Sequence, residues 1–326
     1  MARPKVIVIC PPERDAPPVD RLRDEADFVV VRTADELRAA QPGVEILFLN
    51  DFRSDLLRIV GPGDLRWIHT SSIGVDALLT TEIIESGVTV STSRDVCERP
   101  IAEWVLGVLL LFAKDLRRTL EYQRVATWVH RETEPLLGRR VLLLGAGPVG
   151  RETAKLLRAA GVRVDVVARR ARQDAELGAI AAIDELDELL PLADDLVLAL
   201  PLTQATRGIV DARRLALMRP GARVVNVGRG ALIVEAALLA AVRDGQIGAA
   251  ALDVFEQEPL PSTHPLWTLD SVLVSPHMSG DLVGWRERVV ERFAANLRRW
   301  VAGEPLLDVV DLRDHGSSAP ALTGRG

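Results

Sequence analysis

Short apolar runs alternate with longer stretches in which apolar positions recur every three or four residues, and this happens twice along the 326-residue chain. In the first hundred residues "KVIVI" (5–9), "FVVV" (28–31), "EILFL" (45–49), "RWIHT" (66–70) and "VTV" (88–90) predict strands. Between them "PVDRLRDEA" (18–26) and "TADELRAA" (33–40) predict helices. A helical pattern then runs from roughly Arg99 to Leu120. The alternation restarts with strand candidates "RVLLLG" (140–145), "VRVDVVA" (162–168), "DLVLAL" (195–200), "ARVVNV" (222–227), "GAAALDV" (248–254) and "SVLVS" (271–275). A last helical pattern at 284–303 follows the second set and is placed to return to the first. Strand–helix alternation of this kind implies parallel sheets covered on both faces, here two α/β units with a sheet each. The tail over 313–326 is small, polar and turn-rich, and reads as loose.

Composition narrows the classes. A formal charge of −6 gives no basic field to attract nucleic acid. Two cysteines, Cys10 and Cys97, make neither a disulfide framework nor a thiolate metal cluster, and no metal is expected. The longest apolar run, "WVLGVLLLFA" (104–113), is too short to span a bilayer, and the start of the chain carries no secretory pattern. A cytoplasmic protein with no membrane or nucleic-acid partner is the expectation. Only Lys5, Lys114 and Lys155 are lysines, so arginine is this chain's ordinary cation and a lone arginine is a weak signal.

The stretch "RVLLLGAGPVGRETAKLLRAAG" (140–161) reads as strand, glycine turn and helix. Gly145 suits the tight turn, Gly147 the approach of backbone to a pyrophosphate, and Gly150 close helix–strand packing. Amides near Pro148 and Val149 at the helix start would then donate to phosphate oxygens. In such units the second strand ordinarily ends in an acid that holds the adenosine ribose. Here it ends in Ala168, followed by Arg169 and Arg170, with Arg172 close by. The missing acid and the arginines predict a 2′-phosphate, hence NADP(H) with NADPH preferred and NAD possible. Arg-Arg pairs also occur at 117–118, 139–140, 213–214 and 298–299, so the absent acid is the firmer clue.

Three further stretches place Arg229, Glu256 and Glu258, and His277 just beyond strand candidates: "VVNVGRGALIVEAAL" (224–238), "ALDVFEQEPL" (251–260) and "VLVSPHMSGD" (272–281). Carboxyl ends of parallel strands are where open α/β sheets bind ligands. With "IAEWVLGVLLLFAKDL" (101–116), "GAGPVG" (145–150) and "LPLTQATRGIV" (200–210), these stretches resemble the D-isomer-specific 2-hydroxyacid dehydrogenase family over nearly the whole chain.

The resemblance implies two Rossmann-like, doubly wound parallel-sheet domains with the active site in the cleft between them. It implies a discontinuous flavodoxin-like substrate-binding domain over 1–98 plus 286–326, a dinucleotide-binding domain over 99–285, and a homodimer. It makes Arg229 the substrate-binding arginine, His277 the acid/base and Glu258 its partner, with Glu256 left as competitor. It sets Asp253 towards the nicotinamide carboxamide, adds Thr206, Val227, Gly228, Ser279 and Gly280 to the cofactor residues, and gives the substrate carboxylate to amides near Ile73 and Gly74. His69 and His130 read as structural, and His264 as a loop residue. Trp128 reads either as core or as lining a partner's pocket. Val234 departs from an acid common after the "RG" segment, and Pro100 from small polar residues near the nicotinamide.

The reaction implied is hydride transfer between NAD(P)H and a small 2-keto acid or D-2-hydroxy acid, of glyoxylate/hydroxypyruvate reductase type. Phosphoglycerate dehydrogenase is an alternative, weakened by the absence of an extra C-terminal regulatory domain. Formate dehydrogenase would carry Gln where Glu258 stands, and phosphite oxidation stays open. A non-enzymatic NAD(H)-sensing protein resembling the C-terminal-binding corepressors is the rival of another class.

Overall fold

The computed structural model of the chain describes residues 3–10, 12, 15–50, 56, 64–75, 78 and 81–312. The tail over 313–326, expected to be loose, lies outside the described residues. The chain divides into two compact units, Met1–Val96 with Leu282–Gly326, and Cys97–Asp281.

In the first unit, β1 (Lys5–Ile9), β2 (Asp27–Val31), β3 (Ile46–Leu49), β4 (Trp67–Thr70) and β5 (Thr89–Thr92) form a parallel sheet of order β2-β1-β3-β4-β5. Its helices are α1 (Ala34–Ala40), α2 (Thr81–Ser86) and α9 (Trp285–Ala302). Alternate strand residues serve opposite faces. Ile7, Ile9, Leu47, Leu49, Ile68 and Val90 share one core with Leu37 of α1. On the other face Phe293 of α9 stacks on Phe48 at 4.6 Å and on Trp67 at 5.3 Å. Each such buried side chain contributes about 1.5–3 kcal/mol. α1 starts where Thr33 and Glu36 cap each other's backbone N–H groups. The segment at 18–26, expected to be helical, makes only a 3₁₀ turn over Val19–Leu22. Pro18 precedes it, no side chain caps it, and it buries two apolar residues.

His69 is fully buried on β4 and its hydrogen bonds fix its tautomer. Ser93 Oγ donates to the Thr70 carbonyl (3.1 Å), so it accepts from His69 Nε2 (3.0 Å). Ser91 Oγ accepts from Trp67 Nε1 (2.8 Å) and donates to His69 Nδ1 (2.8 Å). The ring is therefore neutral with its proton on Nε2, which fits the structural role expected for it. Burial, and secondarily Arg292, pushes its pKa down to about 3 from 6.5. The folded state excludes a proton that the unfolded state accepts below pH 6.5. Stability therefore declines as pH falls from 6.5 towards 3, by up to about 1.4 kcal/mol per pH unit. We expect denaturant titrations at pH 7 and pH 5 to show this loss in the parent and a smaller one in His69→Gln. Equal losses in the two proteins would exclude His69 as the source.

The second unit holds β6 (Arg140–Leu144), β7 (Arg163–Ala168), β8 (Arg172–Asp174), β9 (Gly178–Ala182), β10 (Asp195–Leu198), β11 (Ala222–Asn226), β12 (Ile247–Leu252) and β13 (Val272–Val274). Their order is β13-β12-β11-β10-β6-β7-β9-β8, parallel except for the β8–β9 pair. Leu142, Leu144, Leu196 and Val224 point into one core, and Val141, Leu143, Val197 and Val225 into another. The first core takes residues from α6 (Leu186–Leu189), α7 (Ala212–Leu217) and α8 (Glu235–Arg243). The second takes them from α3 (Glu98–Ala113) and α5 (Pro148–Ala159). The sheet is thus wound on both faces, as its near-continuous apolar strands predicted.

Two local expectations change. The helical pattern over 99–120 breaks into α3 and α4 (Leu116–Arg124) at Asp115, whose backbone is left-handed (φ 47°). Aspartate tolerates that conformation better than most residues. Arg131 secures it, donating to the Asp115 carboxylate (2.7 Å) and carbonyl (2.6 Å). The β8–β9 hairpin was not foreseen, because "RQD" and "GAIAA" lack a strand-like run. Beyond α4, Val125, Trp128 and Val129 are exposed, Trp128 almost completely, which removes the core reading for Trp128. Among the described residues no helix is long and apolar enough to cross a membrane.

Candidate active site

In the second sheet β6 is flanked by β7 and β10, so the strand order reverses there. The crevice outside such a reversal is the ligand position of open α/β sheets. The turn after β6 fits it closely. A Cβ on Gly145 (φ +124°) would lie 2.4 Å from the Ala199 carbonyl oxygen beyond β10, and one on Gly150 would lie 2.0 Å from the Gly145 oxygen. A Cβ on Gly147 would meet nothing within 4 Å. Two glycines are required by packing, and the third faces open space at the start of α5. Gly147 caps that helix without a side-chain hydrogen bond, and Pro148 occupies its first turn. The amides of Val149 and Gly150 thus start a twelve-residue helix without a side-chain cap, a fit for phosphate oxygens.

β7 ends at Ala168, which is buried and pairs with Ala182 of β9. Arg169, Arg170 and Arg172 follow, all exposed, with Arg172 donating to the Arg170 carbonyl at 3.4 Å. No carboxylate stands at the position of the ribose-binding acid.

Arg229 follows β11 on a turn held by buried Asn226. Asn226 Oδ1 accepts from Gly228 N (3.0 Å), and its Nδ2 donates to the Arg229 carbonyl (2.9 Å). The guanidinium, half-buried, donates to the Gly228 carbonyl (2.7 Å). At Gly230 a Cβ would fall 1.9 Å from the Phe255 carbonyl carbon, so only glycine lets this turn pack on residues 255–256. Glu258 Oε1 accepts from Phe255 N (2.9 Å), and its Oε2 meets His277 Nδ1 at 2.9 Å. Close packing at Gly230 therefore joins the Arg229 turn to the Glu258–His277 pair.

His277 has a left-handed backbone (φ 57°), unfavourable for any residue with a Cβ. Asp253, buried at the end of β12, holds the loop in it. Asp253 Oδ1 accepts from Ser275 Oγ (2.6 Å) and Met278 N (2.9 Å), and Oδ2 from Ser279 N (3.0 Å). These contacts bracket His277 on both sides. With Nδ1 donating to Glu258, Nε2 is the nitrogen left to gain or lose a proton.

Glu256 serves elsewhere. Its Oε1 accepts from Glu235 N (3.4 Å) at the start of α8, where Val234 supplies no side-chain cap. His264 pairs with Glu235 (2.8 Å) and accepts from Leu266 N, while His130 is exposed. The Thr206 hydroxyl donates to the Pro201 carbonyl (2.8 Å) and accepts from Thr203 N, closing the turn after β10. Val227 and Gly228 are buried, and Gly280 lies against Cys97, where a Cβ would come within 3.2 Å of the Cys97 Cβ. Burial, with Glu98 and Asp281, pushes the Cys97 thiol up to about 12, so it stays protonated and inert at neutral pH. In the first unit Ile73 and Gly74 lie beyond β4, and Gly74 N donates to Ser72 Oγ (3.1 Å). Asn226 and the clamp of Asp253 on residues 275–279 were missed in the sequence. An Asn at the end of a strand and before a glycine turn was a usable signal for Asn226.

Residues 106–279, more than half of the chain, match the family model for the D-isomer specific 2-hydroxyacid dehydrogenase NAD binding domain. The chain belongs to this family. It is 32% identical over 321 residues to a glyoxylate reductase of Thermofilum pendens, covering 93% of each chain. It is 28% identical over 312 residues to a D-3-phosphoglycerate dehydrogenase of Methanocaldococcus jannaschii, covering 94% of this chain and 59% of that one. A crystal structure of an NADPH-dependent glyoxylate/hydroxypyruvate reductase from Sinorhizobium meliloti, in complex with NADP and sulfate, superposes with a TM-score of 0.82 at 26% identity, covering 97% and 100% of the two chains. As a D-2-hydroxyacid dehydrogenase, the protein is an NAD(P)-dependent oxidoreductase with Rossmann-like α/β architecture.

Proposed function

We propose that this dehydrogenase is an NADPH-preferring reductase of small 2-keto acids of the glyoxylate or hydroxypyruvate class, working as a homodimer. The observation that carries the reaction is the 2.9 Å pair between His277 Nδ1 and Glu258, on a loop clamped by Asp253. The bound cofactor supplies the hydride. Arg229 binds the keto acid through its guanidinium, which matches a carboxylate and an adjacent carbonyl oxygen. His277 delivers a proton from Nε2 to that carbonyl oxygen as charge grows on it. Glu258 fixes the orientation of the ring through Nδ1. The glycine turn and the start of α5 hold the diphosphate.

Buried Ala168 with exposed Arg169 and Arg170 supports the NADPH preference, as does the NADP-bound structure of the Sinorhizobium reductase. The exposed apolar residues after α4 support a second copy as partner. We expect NADPH to exceed NADH in kcat/KM across glyoxylate, hydroxypyruvate and 3-phosphohydroxypyruvate, the last included because of the phosphoglycerate dehydrogenase relative. Arg169→Ala with Arg170→Ala removes charge-assisted contacts worth about 1.5–3 kcal/mol each, so NADPH weakens while NADH changes little. This variant is cleaner than Ala168→Asp, which would place a carboxylate at a buried position. A parent that prefers NADH, or a variant that loses both cofactors equally, would overturn the phosphate reading. The solution mass of the same preparation tests the dimer.

A further inference from the structure

The arginine segment after β7 hangs between two fixed points. One is Ala168, paired with β9. The other is β8, three residues long and paired on one side with β9 alone, too short to hold itself in place. Its last residue, Asp174, is fixed from the helix. Arg151, one residue beyond the glycine motif on α5, grips both carboxylate oxygens, Nη1 to Oδ1 at 2.8 Å and Nη2 to Oδ2 at 2.5 Å, and reaches Glu176 at 3.2 Å. Asp174 Oδ1 also accepts from the amides of Glu176 (3.0 Å) and Leu177 (3.1 Å), so the turn and the carboxylate form one piece. Two turns along α5, Arg158 donates to the carbonyls of Leu177 (2.8 Å) and Glu176 (3.2 Å). The Arg151 guanidinium first, and the two amides after it, hold the Asp174 carboxyl well below the usual carboxylate range, so the pair stays charged at working pH.

From this clasp we propose that Arg151 and Asp174 are positioning residues for cofactor selection, holding the Arg169–Arg172 segment where it meets the 2′-phosphate without touching that phosphate. The proposal rests on the NADPH reading above. Its sign separates it from simple electrostatics. Asp174→Asn deletes a negative charge from an arginine-rich segment, which by charge alone tightens a bound phosphate. If the clasp positions the segment, the same change weakens binding, because an amide oxygen keeps the turn but cannot hold the bidentate guanidinium.

The test is calorimetry on the full chain with adenosine 2′,5′-bisphosphate and with 5′-AMP, which differ by the phosphate in question. We expect Asp174→Asn and Arg151→Gln each to weaken the bisphosphate about tenfold, the loss of one charge-assisted contact. We expect 5′-AMP to stay within about twofold and the double variant to be no worse than either single one, as for residues acting as a unit. Tighter bisphosphate binding in Asp174→Asn overturns the proposal, and so does equal weakening of both ligands, which is the mark of a purely structural pair. If the parent binds both ligands equally and Arg169→Ala with Arg170→Ala changes neither, the phosphate reading itself has failed. If the arginine variant loses the bisphosphate while the clasp variants keep it, the clasp alone is wrong.

Discussion

His277→Asn is expected to lower kcat by about 10²–10⁴ while leaving NADPH affinity near that of the parent. Asparagine keeps a polar side chain of related shape but has no proton to give at neutral pH. The loop itself should survive, because it is held by Asp253 through Ser275, Met278 and Ser279 and not by the imidazole. Asparagine also tolerates the left-handed backbone found at this position better than most residues. Single-turnover reduction of glyoxylate separates the proton-transfer defect from binding. Glu258→Gln gives the companion result. The amide oxygen can still accept from Phe255 N, but the charge-assisted hydrogen bond to His277 Nδ1 is lost. The ring is then held less firmly, and kcat for keto-acid reduction falls by about tenfold or more while NADPH affinity stays near that of the parent. A kcat equal to the parent's in Glu258→Gln would remove Glu258 from the proposed role. A kcat within a few-fold of the parent in His277→Asn would remove the histidine.

The architecture was legible because its strands are buried on both faces. "KVIVI" and "RVLLL" are apolar along nearly their whole length, and each supplies alternate residues to opposite faces of its sheet. What the pattern missed depends on contacts distant in sequence. Nothing near Asp115 announces a helix break; the residue that secures the left-handed turn is Arg131, sixteen positions on. "RQD" became a strand because Arg151 and Arg158 of α5 pin the turn that follows it. Edge strands of this kind are short and charged, the reverse of the signal that reveals a central strand.

The chemistry divides in the same way. Gly145, Gly150 and Gly230 were readable as glycines, but the reason for Gly230 is a close approach to Phe255 that spacing does not reveal. Glu256 and Glu258 are two residues apart and chemically alike. Which one meets His277 is decided by where the chain turns after β12, and Glu256 instead caps α8 where Val234 has no capping side chain. Asp253 was expected to face the nicotinamide. Its observed contacts with Ser275, Met278 and Ser279 belong to the folding of the loop, a role visible only once strands β12 and β13 lie side by side.

Arg229→Ala is expected to lower kcat/KM for glyoxylate by at least about 100-fold, the scale of loss when the group that orients a substrate is removed. The backbone of the turn should hold, since Asn226 binds Gly228 N and the Arg229 carbonyl independently of the guanidinium. Cofactor affinity should therefore change little. A lower kcat/KM alone does not show what the arginine binds, and a substrate series supplies that step. In the parent, replacing the keto acid by its uncharged amide removes the carboxylate that the guanidinium is proposed to fork. In Arg229→Ala the fork is already gone, so the same replacement should cost much less. The two losses are then non-additive, with a coupling of the size expected for groups in direct contact, about 0.5–3 kcal/mol. Arg229→Lys refines the reading: it keeps the charge but not the planar pair of donors, and should recover only part of the activity. Additive losses would mean that Arg229 supports the site without touching the carboxylate, and unchanged keto-acid kinetics in Arg229→Ala would take it out of the mechanism.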